Sequence, residues 1–413
     1  MSPRPESVGF SAARLKRIDT FLQQRYLDTG KLPCAQVLIA RGDQTVYQTV
    51  LGKMDVERNR PATEDTIYRI FSMTKPITSV AFMMLVEEGL VGLDDPVHRF
   101  IPEWRDLTVY AGGAHGTFKT DRTLQPMRMI DLLRHTSGLT YGFQLRTNVD
   151  AAYRKLGVGE FVNAQPLDAM IKTLSALPLE FSPGTAWNYG VSTDVVGYLV
   201  GKISGQPFED FIRERILKPL KMVDTDFQVA AEKASRFAAC YVATPDLKMR
   251  LQDDPVTSEF LKPPVFVSGG AGLLSTAADY LRFARMLLNG GELDGVRLIG
   301  PKTLQLMTQN HLPGKKELPE ISRSLFSEAT YNGVGFGLGF AVTVDQPRTL
   351  ILGSQGEFTW GGLATTTFWV DPVENLIGIF LTQLMPSSTY TVRRDLRTLT
   401  YAAMTESYAQ RSG

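Results

Sequence analysis

Strand-forming residues gather at the two ends of this chain and helical patterns fill its middle, and that distribution limits the fold more than any other feature. After Gly30 and Pro33, the runs 34–40 and 45–51 are β-rich, and Arg41-Gly42-Asp43 between them reads as a hairpin turn. Near the other end, 338–344, 365–370 and 376–382 alternate or run apolar, with Asp371-Pro372 as the turn between the last two. Between these ends, 129–134, 166–176, 193–203, 207–217 and 276–288 carry helical spacing, and Pro166 and Pro207 stand at helix starts, where a missing N–H costs nothing. Helices are also expected over 11–24, with Ser11 as N-cap, over 74–88 and over 391–408. One sheet assembled from both ends of the chain, with a helical part inserted, satisfies this order. Two polar segments, 244–264 and 312–334, are long for connectors and are expected to be rims or lids that select substrate.

Composition narrows the class of function. The 413 residues are 43% hydrophobic, and 44 Lys+Arg against 43 Asp+Glu leave a net charge of +1. A general nucleic-acid binder needs a basic excess that is absent here. No apolar run approaches the ~18 residues of a membrane span, and the amino terminus lacks the apolar stretch of a signal peptide, so a cytoplasmic location is expected. Cys34 and Cys240 are too few for a disulfide scaffold. Four scattered histidines (98, 115, 135 and 311) make a His-based metal site a poor expectation. No metal or organic cofactor is called for, and the partner expected is a small molecule.

The chemistry gathers at three places. Ser72-Met73-Thr74-Lys75 is a Ser-x-x-Lys tetrad. With 22 serines and 16 lysines, roughly one such tetrad arises by chance, so its context has to give it weight. Ser72 follows a β-like run and opens a helix, positions i and i+3 share a helix face, and Pro76 fits a first turn. Lys75 can therefore reach the Ser72 hydroxyl as a base, while a helix N-terminus favours negative charge beside it. The second place is Tyr189, in a loop opened by Pro183-Gly184 and leading to a helix near Ser192; most tyrosines are packing residues, and Tyr189 alone carries little weight. The third is Trp360-Gly361-Gly362-Leu363 ahead of the strand at 365–370, where paired glycines admit close backbone approach or mark a β-bulge. A Gly-x-Ser-x-Gly elbow is absent: Leu352-Gly353-Ser354-Gln355-Gly356 has Leu in place of the first glycine.

In this order the three places, with Arg134-His135-Thr136-Ser137-Gly138-Leu139, Phe181-Ser182-Pro183-Gly184, Gly272-Leu273-Leu274-Ser275-Thr276 and Phe368-Trp369-Val370-Asp371-Pro372, resemble the serine β-lactamase and penicillin-binding superfamily. The likeness is greatest to its class C branch and, within that, to the family VIII carboxylesterases. It runs over nearly the whole chain. It implies an α+β fold: an antiparallel sheet domain over 1–105 and 265–413, a mainly helical inserted domain over 106–264, and the active site in the cleft between them. It implies Ser72 as acylated nucleophile, Lys75 as base or proton relay, Tyr189 as proton carrier, and the N–H groups of Ser72 and Leu363 as oxyanion hole. Trp360, Gly361, Gly362 and Val191 fall at substrate-binding positions, and His135 at a structural one.

Two departures from the superfamily pattern shape the expected activity. Trp360 replaces the strand lysine and Val191 replaces an asparagine, which removes a cation and an amide suited to an anionic amide substrate. Hydrolysis of carboxylic esters, short acyl chains preferred, is therefore expected ahead of β-lactam or D-amino-acid peptide cleavage. Acyl transfer to an alcohol and a catalytically silent binding role are the alternatives. Oligomeric state is not readable from the chain.

Overall fold

In the computed structural model, which describes residues 4–160, 165–323 and 330–409, the two ends of the chain do share one sheet. Its strands are β1 (Cys34–Arg41), β2 (Gln44–Asp55), β3 (Arg60–Pro61), β4 (Val334–Phe336), β5 (Ala341–Thr343), β6 (Phe358–Gly361), β7 (Thr367–Asp371) and β8 (Leu376–Leu381). They lie in the order β4-β5-β6-β7-β8-β1-β2-β3, and every neighbouring pair is antiparallel. The join between the chain ends is β1 against β8, with Leu38 opposite Ile379. β1 and β8 are buried along their full length, which explains why 37–40 and Leu376–Leu381 run apolar instead of alternating; the polar members of β1, Gln36 and Arg41, are buried with hydrogen-bond partners.

The period of two still sorts their side chains. Val37 and Ile39 join an apolar cluster with Leu15, Ile18, Val392 and Leu396 from the terminal helices. Leu38 and Ala40 point the other way, into the larger cluster that holds Tyr280, Phe283 and the apolar residues of the helical middle. The sheet is thus covered on both faces, and its second face continues into the helical part without a break in the core.

Four helices matter for the site: α1 (Thr74–Glu87), α2 (Ser192–Ser204), α3 (Ala277–Leu288) and α4 (Val392–Ala402). α1 is buried from Thr74 through Leu85, which accounts for the unbroken apolar run 80–86 in its second half. α3 is capped by Thr276, whose hydroxyl accepts the Asp279 N–H. The helix expected over 391–408 stops at Ala402, because the chain then turns to pair Met404 with Phe10. The segment 244–264 is not an open loop. Met249–Asp253 pairs with Cys240–Ala243, and Glu259–Leu261 forms a 3-10 turn. Part of the segment 312–334, residues 324–329, lies outside the described residues; its described part includes the short helix Leu318–Ile321.

Candidate active site

The backbone around Ser72 is set before the side chains are. Phe71 has φ 42°, a left-handed conformation that costs an L residue ~1–2 kcal/mol, and it turns the chain from Tyr68–Arg69 into a 3-10 turn, Phe71–Met73, that runs directly into α1. That turn is pinned from behind: the Tyr280 hydroxyl donates to the Met73 carbonyl at 2.9 Å, and the Leu273 N–H donates to the Thr74 hydroxyl at 3.1 Å. Ser72 emerges half-buried at the head of α1, and Lys75 follows on the same face, 1% exposed.

Lys75 Nζ has three oxygen neighbours: Ser72 Oγ at 3.2 Å, Tyr141 OH at 3.0 Å and the Gly270 carbonyl at 2.8 Å. The carbonyl can only accept, so one amine N–H must point to it. With a second N–H given to the Tyr141 oxygen, a neutral Lys75 presents its lone pair to the Ser72 proton. Burial lowers the ammonium pKa to about 7, against an upward pull from Asp194, so the neutral form is populated near pH 7. The Tyr189 ring lies 4.6 Å from Nζ, and its hydroxyl is in hydrogen-bond reach of Ser72. Burial raises the Tyr189 phenol above its usual range, which keeps it protonated and able to carry a proton.

Strand β6, which lies inside the sheet between β5 and β7, closes the other side. Trp360 Nε1 donates to the Tyr189 hydroxyl at 3.3 Å, so the residue in the strand-lysine position supplies a neutral donor in place of a charge. A Cβ on Gly362 would run into the Ile70 carbonyl and the Thr366 hydroxyl; glycine is needed there for the end of β6 to lie against the segment before Ser72. The N–H groups of Ser72 and Leu363 have no backbone acceptor among the described residues, and both residues line a cavity of about 600 Å³. Phe71, Phe143, Tyr189, Trp360 and Leu363 give that cavity a mainly apolar wall. Arg393 reaches its rim from α4, donating to the Gly362 and Thr366 carbonyls.

The structure brings Ser72, Lys75, Tyr189, Trp360, Gly361, Gly362 and Leu363 together around this one cavity. Val191 is not brought to it. It is fully buried at the N-cap of α2, its N–H donates to the Thr140 carbonyl, and its side chain backs Gly159 from behind the cavity wall. The expectation of a substrate contact at Val191 is corrected accordingly. His135 is also buried; it packs 5.0 Å from the Tyr189 ring and against Trp187 and Phe336. Burial and the Lys75 charge hold its pKa well below the usual histidine range, so it stays neutral.

The segment 244–264 contributes nothing to the cavity wall, contrary to expectation, whereas Tyr331, from the segment 312–334, lines it. Tyr141, Asp194 and the Gly270 carbonyl escaped the sequence reading. No spacing rule links positions 75, 141, 194 and 270, and the only trace was a polar Ser192-Thr193-Asp194 run at a helix start, which reads first as capping.

A serine–lysine pair at the head of a buried helix, facing a strand of an antiparallel sheet covered by helices, is the arrangement of the β-lactamase/transpeptidase type of α+β fold. The chain belongs to the Beta-lactamase family, whose model matches residues 20–402. Among curated relatives, esterase EstB of Burkholderia gladioli is 31% identical over 92% of this chain and 93% of its own. The lovastatin esterase of Penicillium rubens is 29% identical over 86% and 90%. Among solved structures, a LovD6 mutant of simvastatin synthase from Aspergillus terreus superposes with TM-score 0.79 at 26% identity, covering 97% of this chain and 96% of its own.

Proposed function

We propose that this chain is a serine carboxylesterase that hydrolyses esters, short acyl chains preferred, through an acyl-Ser72 intermediate. The observation that carries the reading is the pair of oxygens, Tyr141 OH and the Gly270 carbonyl, that aims a buried, near-neutral Lys75 at Ser72 Oγ. The ester relatives named above support the reaction class. The cleft lies where residues from 106–264 (Tyr141, Tyr189, Asp194) meet residues from the rest of the chain (Ser72, Trp360, Leu363), in keeping with the two-domain division proposed from the sequence.

In the proposed mechanism the substrate carbonyl oxygen lies between the N–H groups of Ser72 and Leu363. Lys75 takes the Ser72 proton, directly or through Tyr189, as Oγ attacks the carbonyl carbon. The resulting oxyanion is held by the two backbone donors, each of which is typically worth ~2.7–4 kcal/mol. Tyr189 then passes a proton to the departing alkoxide and is reprotonated from Lys75, leaving acyl-Ser72 and free alcohol. Water deacylates by the same route, its proton going to Lys75 or Tyr189 and the returning proton restoring Ser72. Trp360 Nε1 would steady negative charge on the Tyr189 oxygen while the proton is in transit.

Ser72→Ala tests the reading: hydrolysis of p-nitrophenyl butyrate should fall to background with the fold intact by circular dichroism. Turnover retained in that variant would remove Ser72 as nucleophile. Acyl transfer to an alcohol is the second reading, favoured by the likeness to simvastatin synthase and by a mainly apolar cavity large enough for an acceptor beside the acyl group. Adding a graded alcohol series and measuring new ester against free acid separates the two.

A further inference from the structure

The mechanism above makes no use of a carboxylate that is buried beside its base. Asp194, on the first turn of α2, is 1% exposed. Its Oδ1 accepts the Ser268 hydroxyl at 2.5 Å and the Gly270 N–H at 3.0 Å. The carbonyl of that same Gly270 receives the Lys75 ammonium at 2.8 Å. The turn is packed closely enough that a Cβ on Gly270 would come within 2.7 Å of Asp194 Oδ2. The peptide group that owns this carbonyl, Gly270–Ala271, gives its N–H to Ser268 Oγ at 2.9 Å, and that hydroxyl donates to Asp194. Carboxylate, hydroxyl, peptide and amine thus stand in series, and a peptide whose N–H is held by such a chain is a stronger acceptor at its carbonyl.

We propose that Asp194 is a positioning residue for Lys75: through the Gly270 N–H and the Ser268 hydroxyl it fixes the turn whose Gly270 carbonyl anchors the amine, and it supplies the negative charge that offsets burial of the ammonium. The proposal rests on the reading of Lys75 as the base. Several groups face the amine. Ser72 does so from the head of its own helix, Tyr141 from the loop after His135, Tyr189 from the loop before α2, and the buried neutral His135 from behind Tyr189. Arg393, from α4, bears on Tyr189. Among the described residues, Asp194 is the carboxylate that acts on Lys75, and its effect is to raise the lysine pKa against burial. Without it the amine would be a weaker base, less firmly aimed.

Asp194→Asn tests this, because an amide oxygen can still accept from Ser268 and Gly270 while the charge is lost. The ascending limb of kcat/KM against pH should move about one unit lower, and the plateau kcat should fall about tenfold with KM changed less than twofold. A limb and plateau that both stay at wild-type values, or a change confined to KM, would overturn the proposal. Ser268→Ala is the second variant: it strips one donor from the carboxylate, leaves the charge less compensated, and should move the limb upward. A limb unmoved in Ser268→Ala counts against the proposal. Titration of 13Cε-lysine by NMR in a Ser72→Ala background, with Lys75 assigned from its loss in Lys75→Met, reads the coupling without turnover. A downward shift of that resonance's midpoint with Asp194→Asn supports the proposal, and an unchanged midpoint overturns it. Because this readout needs no ester, its result stands apart from the outcome of the esterase assays.

Discussion

At Lys75 burial favours the neutral amine that the proposed mechanism uses as its base. A lysine in water is protonated at pH 7 and useless as a proton acceptor, but desolvation inside α1 brings its pKa to about 7. Because the neutral amine is the active form in the proposed mechanism, kcat/KM is expected to rise with pH through about 7, and Lys75→Arg, which keeps the charge but cannot lose its proton, should reduce ester hydrolysis at least a thousandfold. A pH–rate series on p-nitrophenyl butyrate checks both. Trp360 supplies the second residue-scale prediction. Its indole N–H holds the Tyr189 oxygen, so Trp360→Phe should lower kcat five- to tenfold, the worth of about one hydrogen bond, with little effect on folding. At this scale the sequence made the Ser72–Lys75 pair legible, since i and i+3 meet on any helix, and it marked Tyr189 and Trp360 through their place in ordered motifs. It could not show Tyr141, Asp194 or the Gly270 carbonyl, whose meeting depends on three chain segments converging.

Among elements, β6 and the head of α1 form the working unit of the proposed mechanism, and Gly362 is what lets them touch. Gly362→Ala would push the strand off the Ile70 carbonyl, and a shift of an ångström in the Leu363 N–H would spoil its proposed pairing with the Ser72 N–H as oxyanion hole. Kinetics and thermal unfolding on that variant should show a fall in kcat/KM of at least a hundredfold, with a stability loss of only ~1–3 kcal/mol. The paired glycines already pointed in the sequence to a close backbone approach; which backbone approaches was not readable. The segment 244–264 was misread for a different reason. Its strand, Met249–Asp253, is short, polar and only half-covered, so it carries no alternation strong enough to separate it from a loop.

For the whole molecule, the joining of both chain ends in one sheet was legible because strand-forming runs gather at the two ends around a helical middle, and the apolar stretches 37–40 and Leu376–Leu381 suit central strands covered on both faces. The closing of that sheet also buries a titrating cluster. Glu357, just before β6, is fully buried, and burial raises its pKa to about 7 although Arg397 and Tyr401 pull it down. The Tyr401 hydroxyl lies 2.6 Å from Glu357 and 2.7 Å from Asp371, and its single proton serves only one of them; a proton on Glu357 completes the set. The native state therefore holds this proton more tightly than the unfolded chain does. The stabilisation is full below pH ~4.5 and is lost as pH rises to about 7, amounting to on the order of 3 kcal/mol. Glu357→Gln should flatten that part of the stability–pH curve, as measured by urea unfolding at pH 5 and pH 8.

The most direct test of the account is where the acyl group goes. Rapid-quench mass spectrometry of the protein with p-nitrophenyl butyrate, followed by tandem sequencing of peptides, should find a butyryl group on Ser72 in the wild type and almost none in Lys75→Met. An acyl group on any other side chain, or acylation of Ser72 at the wild-type rate without Lys75, would contradict it.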